Sequence, residues 1–64
     1  MNISKEMTIG EVVRNYPESA DVLITFGMGC IGCPSAQAET IEEASMVHGI
    51  NVTELLKALN EAIN

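Results

Sequence analysis

Apolar residues recur at Ile9, Val12, Val13 and Tyr16, the i, i+3, i+4, i+7 spacing of one helical face. Thr8 precedes this stripe and Glu11 follows Thr8 by three residues. That pair reads as a capping box: the threonine hydroxyl accepts one free backbone N–H, and the glutamate reaches back to another. Pro17 ends the helix, because the residue before a proline is pushed out of the helical region. Pro17 in turn suits the first position of a second helix, with Glu18 to Phe26 following and Gly27 taking a left-handed C-terminal turn. Val22–Phe26 also has the composition of a buried strand, but the chain has no second clear strand to pair with it, so a helix is the reading.

Thr40-Ile41-Glu42-Glu43 repeats the capping box, and its helix runs to Val47 or His48 and stops at Gly49. Asn51-Val52-Thr53-Glu54 reads as a third capping box, with Ile50 and Leu55 placed for a hydrophobic staple. Val52, Leu55, Leu56, Leu59 and Ile63 form the cleanest apolar stripe in the chain. Pro34 starts a further short helical turn. Helices this short are unstable alone in water and must share one core. The pattern predicts an all-α fold over residues 1–64 as a single domain, an irregular orthogonal array of four to five short helices.

Composition narrows the core. The chain has 64 residues, of which 47% are hydrophobic, yet Tyr16 and Phe26 are its only aromatic residues. Aliphatic side chains and methionines must fill the interior, and Met7, Met28 and Met46 read as core filler, with Met28 also placed to line a partner surface. The formal net charge is −6, and Lys5, Arg14 and Lys57 are the only cations. Nucleic acids and anionic membrane surfaces both require clustered cations, so neither is expected as a partner. No apolar run reaches transmembrane length, and Met1–Glu6 does not resemble a signal peptide, so the expected location is cytoplasmic.

The chemistry lies between the second and third main helices. Gly27-Met28-Gly29-Cys30-Ile31-Gly32-Cys33-Pro34 holds both cysteines of the chain, spaced C-x-x-C among three glycines. Side chains three residues apart on a turn lie about 5–6 Å apart at Cβ, within adjusting distance of a disulfide. Gly29 and Gly32 supply backbone freedom for that adjustment. Pro34 holds Cys33 in an extended conformation and makes it the N-cap of the short helix, where unpaired N–H groups favour a thiolate. Placing Cys30 at the helix start, with Cys33 one turn in, is the other arrangement, and Pro34 fits it less well. No cation is near in sequence, and Glu39, Glu42 and Glu43 follow, so the pair is expected to be mildly activated and to work with a partner. The candidate site residues are thus Cys30 and Cys33, acting by thiol–disulfide exchange with a redox protein partner.

Two rival readings use the same sulfurs. They can serve as ligands in a metal- or iron–sulfur-handling module, with His48 or a partner completing the set. They can also be small buried residues in a helical interaction domain. His48 falls seven residues after Ile41, on the same helical face, and reads as a partly buried residue closing its helix, with a proton shuttle to the thiols as the sharper option. Gly27-x-Gly29-x-x-Gly32 matches a dinucleotide fingerprint in letters alone, since the chain is too short for the parallel sheet that motif needs. No cofactor is therefore expected. Asn51-Val52-Thr53 matches a glycosylation acceptor and reads as a helix cap.

The run Tyr16-Pro17-Glu18, Val22-Leu23, Phe26-Gly27-Met28-Gly29-Cys30-Ile31-Gly32-Cys33, Glu39-Thr40-Ile41-Glu42-Glu43-Ala44 and His48-Gly49-Ile50-Asn51-Val52, continuing to Leu59-Asn60, resembles the hybrid-cluster-protein-associated redox disulfide domain. It is similar, more distantly, to the N-terminal domain of iron–sulfur cluster repair di-iron proteins. The resemblance spans Ile3 to Asn60. It implies an all-helical array of short helices and a C-x-x-C placed at Cys30 and Cys33, and the family's name records an inferred disulfide role.

Overall fold

The described residues form five helices: α1 (Ile9–Asn15), α2 (Ser19–Thr25), α3 (Pro34–Gln37), α4 (Ile41–His48) and α5 (Val52–Ile63). The computed structural model describes residues 2–29 and 31–64. Among the described residues there is no strand, only an isolated antiparallel bridge between Thr8 and Thr40.

Two of the three predicted capping boxes form. Thr8 Oγ1 accepts from the Glu11 N–H and Glu11 Oε1 accepts from the Thr8 N–H, both at 3.1 Å. Thr40 and Glu43 repeat the exchange at 3.1 and 3.0 Å. The two caps face each other. The Ile9 N–H donates to the Glu39 carbonyl at 2.8 Å, and the Ile41 N–H donates to the Met7 carbonyl at 2.9 Å. The start of α1 is thereby tied to the start of α4. The third cap is half a box: Asn51 Oδ1 accepts from the Glu54 N–H at 3.1 Å.

Two helix ends close on left-handed glycines, Gly27 (φ 96°) and Gly49 (φ 68°). After α2 the Met28 N–H reaches the Leu23 carbonyl and the Gly27 N–H reaches that of Ile24, both at 2.9 Å. After α4 the Ile50 N–H reaches the Ser45 carbonyl at 2.8 Å in the same pattern. Each motif satisfies carbonyls that the helix leaves unpaired and turns an apolar residue back onto the core.

α2 departs from the sequence-based boundary. It begins at Ser19, and Tyr16 to Glu18 form a turn in which the Ser19 N–H donates to the Tyr16 carbonyl at 2.9 Å. Ser19 is fully buried, and its hydroxyl donates to the same carbonyl at 2.6 Å. Pro17 thus sits in the turn rather than at the first helical position, because the buried serine satisfies the end of α1. The segment Val22–Phe26 contains no strand.

The core comprises Ile3, Ile9, Val12, Leu23, Met28, Ile41, Ala44, Leu55 and Leu59. α5 packs on α2 and α4, while α1 packs on α2 and α3. Asn60 fastens the N-terminal segment to α5: its Oδ1 accepts from the Ile3 N–H at 2.6 Å and its Nδ2 donates to the Ile3 carbonyl at 3.1 Å. Met46 corrects the expectation of core filler, since it is 76% exposed. The inward face of α4 is Ile41, Ala44 and Ser45, which leaves positions 46 and 47 off that stripe.

Candidate functional site

The C-x-x-C segment leaves the end of α2 and enters α3. Met28 is buried in the core and fixes where the segment starts. At its far end the Glu39 carbonyl is bonded to α1, as above. Between these anchors, Gln37 Nε2 donates to the Ile31 carbonyl at 3.0 Å and ties α3 back to one of the two residues between the cysteines. α3 itself presses on α1 at Gly10, where a Cβ would stand 3.2 Å from the Gln37 Cβ and 3.3 Å from its carbonyl oxygen. Gly10 is buried, and a Cβ there would push Gln37 back by a few tenths of an ångström.

Cys33 occupies the predicted N-cap of α3, in extended conformation (φ −79°, ψ 136°) with Pro34 at the first turn. Its carbonyl accepts from the Gln37 N–H at 2.9 Å. The thiol is free and exposed, and it takes no capping hydrogen bond from α3. Helix α3 is only four residues long, so the dipole invoked from the sequence is that of a single turn. Cys30, the other candidate site residue, lies outside the described residues. Gly29 and Gly32 are exposed, neither adopts a positive φ, and among the described residues a Cβ on either would meet nothing within 4 Å.

A cleft of about 20 Å³ adjoins the segment, lined by Ile9, Met28, Ile31, Ala36, Glu39, Ala44 and His48. It brings His48 and Ile31 to one wall, although they are seventeen positions apart in sequence. His48 is exposed rather than partly buried, because α4 has run past the core by its last turn. Among the described residues no group of three or more His, Cys, Asp and Glu side chains is placed to hold a metal ion. Lys5 is engaged with Glu42 at 3.5 Å. Gln37 and Gly10 are the supporting residues that the sequence did not reveal, since both act through contacts between distant positions.

No helix is long and apolar enough to cross a membrane among the described residues. The family model that matches the chain, over residues 3–56, is that of a domain of unknown function, DUF1858. Two solved structures are similar. One is a solution structure of a protein from Clostridium thermocellum, 46% identical, with a TM-score of 0.82, covering 95% of this chain and 87% of that one. The other is an uncharacterized protein described as from Methanocaldococcus jannaschii, 36% identical, with a TM-score of 0.87, covering 97% and 86%. No curated protein gives a significant match.

Proposed function

The chain belongs to the DUF1858 family of domains of unknown function, and from that premise we propose that it is a redox accessory module of the hybrid-cluster-protein-associated disulfide type. In this reading Cys30 and Cys33 cycle between dithiol and disulfide with a partner oxidoreductase. The observation that carries the reading is the exposed thiol of Cys33, at the mouth of α3 in a segment anchored on both sides.

The chemistry balances through a mixed disulfide. The thiolate of Cys33 attacks a sulfur of a partner disulfide, and the partner's other sulfur leaves as a thiolate. Cys30 then attacks the mixed bond, releases the partner's second thiol and closes the Cys30–Cys33 bond. Two electrons pass to the partner, and two protons from the pair go to solvent or to the partner's thiolates. Run in reverse, the same steps reduce the module. The chain's contribution is positional: Pro34 holds the backbone of Cys33 extended, and Gln37 holds the intervening Ile31.

Trapping tests this directly. A Cys30→Ser variant should accumulate a stable mixed disulfide through Cys33 with a partner disulfide or a model disulfide, read by mass spectrometry. If Cys33→Ser traps through Cys30 and Cys30→Ser does not, the assignment of Cys33 as nucleophile is wrong. If neither variant traps, the redox reading is wrong.

A further inference from the structure

Two large apolar side chains on α4 lie open to solvent, Met46 at 76% and Val47 at 71% exposure. With Glu39 and Glu43 they line an open groove of about 380 Å³. Glu43, Met46 and Val47 are i, i+3 and i+4 on one helix and so share a face. Glu39 also lines the small cleft that Ile31 lines, so the groove and that cleft meet at Glu39. Glu43 uses one carboxylate oxygen in its capping box, and among the described residues neither Glu39 nor Glu43 faces a cation across a salt bridge.

We propose that this groove docks a basic, apolar-bearing segment of the partner protein that exchanges with the C-x-x-C pair. The proposal rests on the redox reading above and names the class of partner it needs. Charge selects the occupant. The groove has two carboxylates on its rim, and the chain carries −6 overall. A second copy of this chain would bring like charge to the same face, and an anionic lipid surface would be repelled. A lysine- or arginine-rich segment meets the carboxylates, and its aliphatic stems and apolar neighbours cover Met46 and Val47. A flexible, polarizable methionine suits a surface that adapts to a bound segment.

The test separates docking from redox chemistry. The reduced protein is titrated by NMR with a short synthetic peptide in which lysines flank a leucine pair, with serine in place of cysteine. A second peptide replaces every lysine by glutamate. The lysine peptide should bind at least about tenfold more tightly at low ionic strength, and added salt should erode that margin. Amide shifts should centre on Glu39, Glu43, Met46 and Val47. Met46→Ser with Val47→Ser should weaken the lysine peptide severalfold, and circular dichroism should show an intact fold because both side chains are exposed. Glu39→Gln with Glu43→Gln, which keeps a capping partner for Thr40, should bring the two peptides to within about twofold of each other.

Equal binding of both peptides, binding of neither, or shifts centred on Ile24 of α2 would overturn the docking proposal. Self-association of the chain through Met46 and Val47 without peptide would overturn it in favour of a second copy. A cysteine-bearing lysine peptide, activated as a mixed disulfide, reports on the other reading. If it binds at the groove yet never exchanges with Cys33, the redox reading fails and the docking surface stands.

Discussion

Leu59 is fully buried among the apolar side chains of α5, α2 and their neighbours, whereas a Cβ placed on Gly32 would meet nothing within 4 Å among the described residues. The two positions represent two regions. The frame of α1, α2, α4 and α5 holds the buried core, both capping boxes and both left-handed glycine turns. The segment from Gly29 to Cys33 leaves its described residues exposed or half-buried and is fixed through its flanks, by Met28, Gln37 and Glu39. The difference teaches where each property resides. Stability belongs to the frame, and access to the sulfur belongs to the segment. A small domain buries few apolar groups, and here they lie in the frame rather than in the segment.

The sharpest way to break this comparison is to empty the frame. Leu59→Ala should cost about 2–5 kcal/mol by lost burial and the cavity left behind, enough to unfold much of a marginal 64-residue chain. Urea melts followed by circular dichroism would check it. A loss below about 1 kcal/mol would mean the core closes over the gap and Leu59 is not central.

A smaller effect sharpens the boundary between the regions. Gly27 takes φ 96° to close α2, and an alanine there must adopt a left-handed backbone at a cost of about 1–2 kcal/mol. Gly32 takes no positive φ and has open space, so Gly32→Ala should change stability by no more than about 0.5 kcal/mol. The paired melts are the measurement. Equal losses at the two glycines would erase the distinction between frame and segment. The smallest effect lies on the surface. Lys5 and Glu42 are 47% and 48% exposed at 3.5 Å, and Lys5→Ala should cost no more than about 0.5 kcal/mol, vanishing at high salt.

Local physics made the frame legible in the sequence. The Thr8 and Thr40 boxes, the left-handed Gly27 and Gly49, and the α5 stripe with Leu55 and Leu59 inward all follow from spacings within one turn. The N-cap position of Cys33 follows from Pro34 in the same way. What sequence spacing did not disclose is non-local. The Thr8–Thr40 bridge, the Asn60 clasp on Ile3 and the contact of Gly10 with Gln37 join positions 32, 57 and 27 residues apart. Ser19 is a milder case: its inward hydroxyl moved the start of α2, because side-chain capping of a preceding carbonyl competes with the helix start that Pro17 suggests. Met46 was misplaced because methionine is apolar by type, while its position on α4 lies off the buried face.

The account depends on Cys30 and Cys33 joining and parting reversibly in the folded protein. Equilibration of the folded chain in glutathione or dithiothreitol redox buffers, with thiols counted by alkylation and mass spectrometry, tests that most directly. The account predicts one two-electron transition at about −270 to −200 mV, the range of thioredoxins and glutaredoxins, with the helical circular dichroism spectrum retained on both sides. Two thiols that remain reduced across the whole buffer range, or a disulfide that forms only when the helices melt, would contradict it.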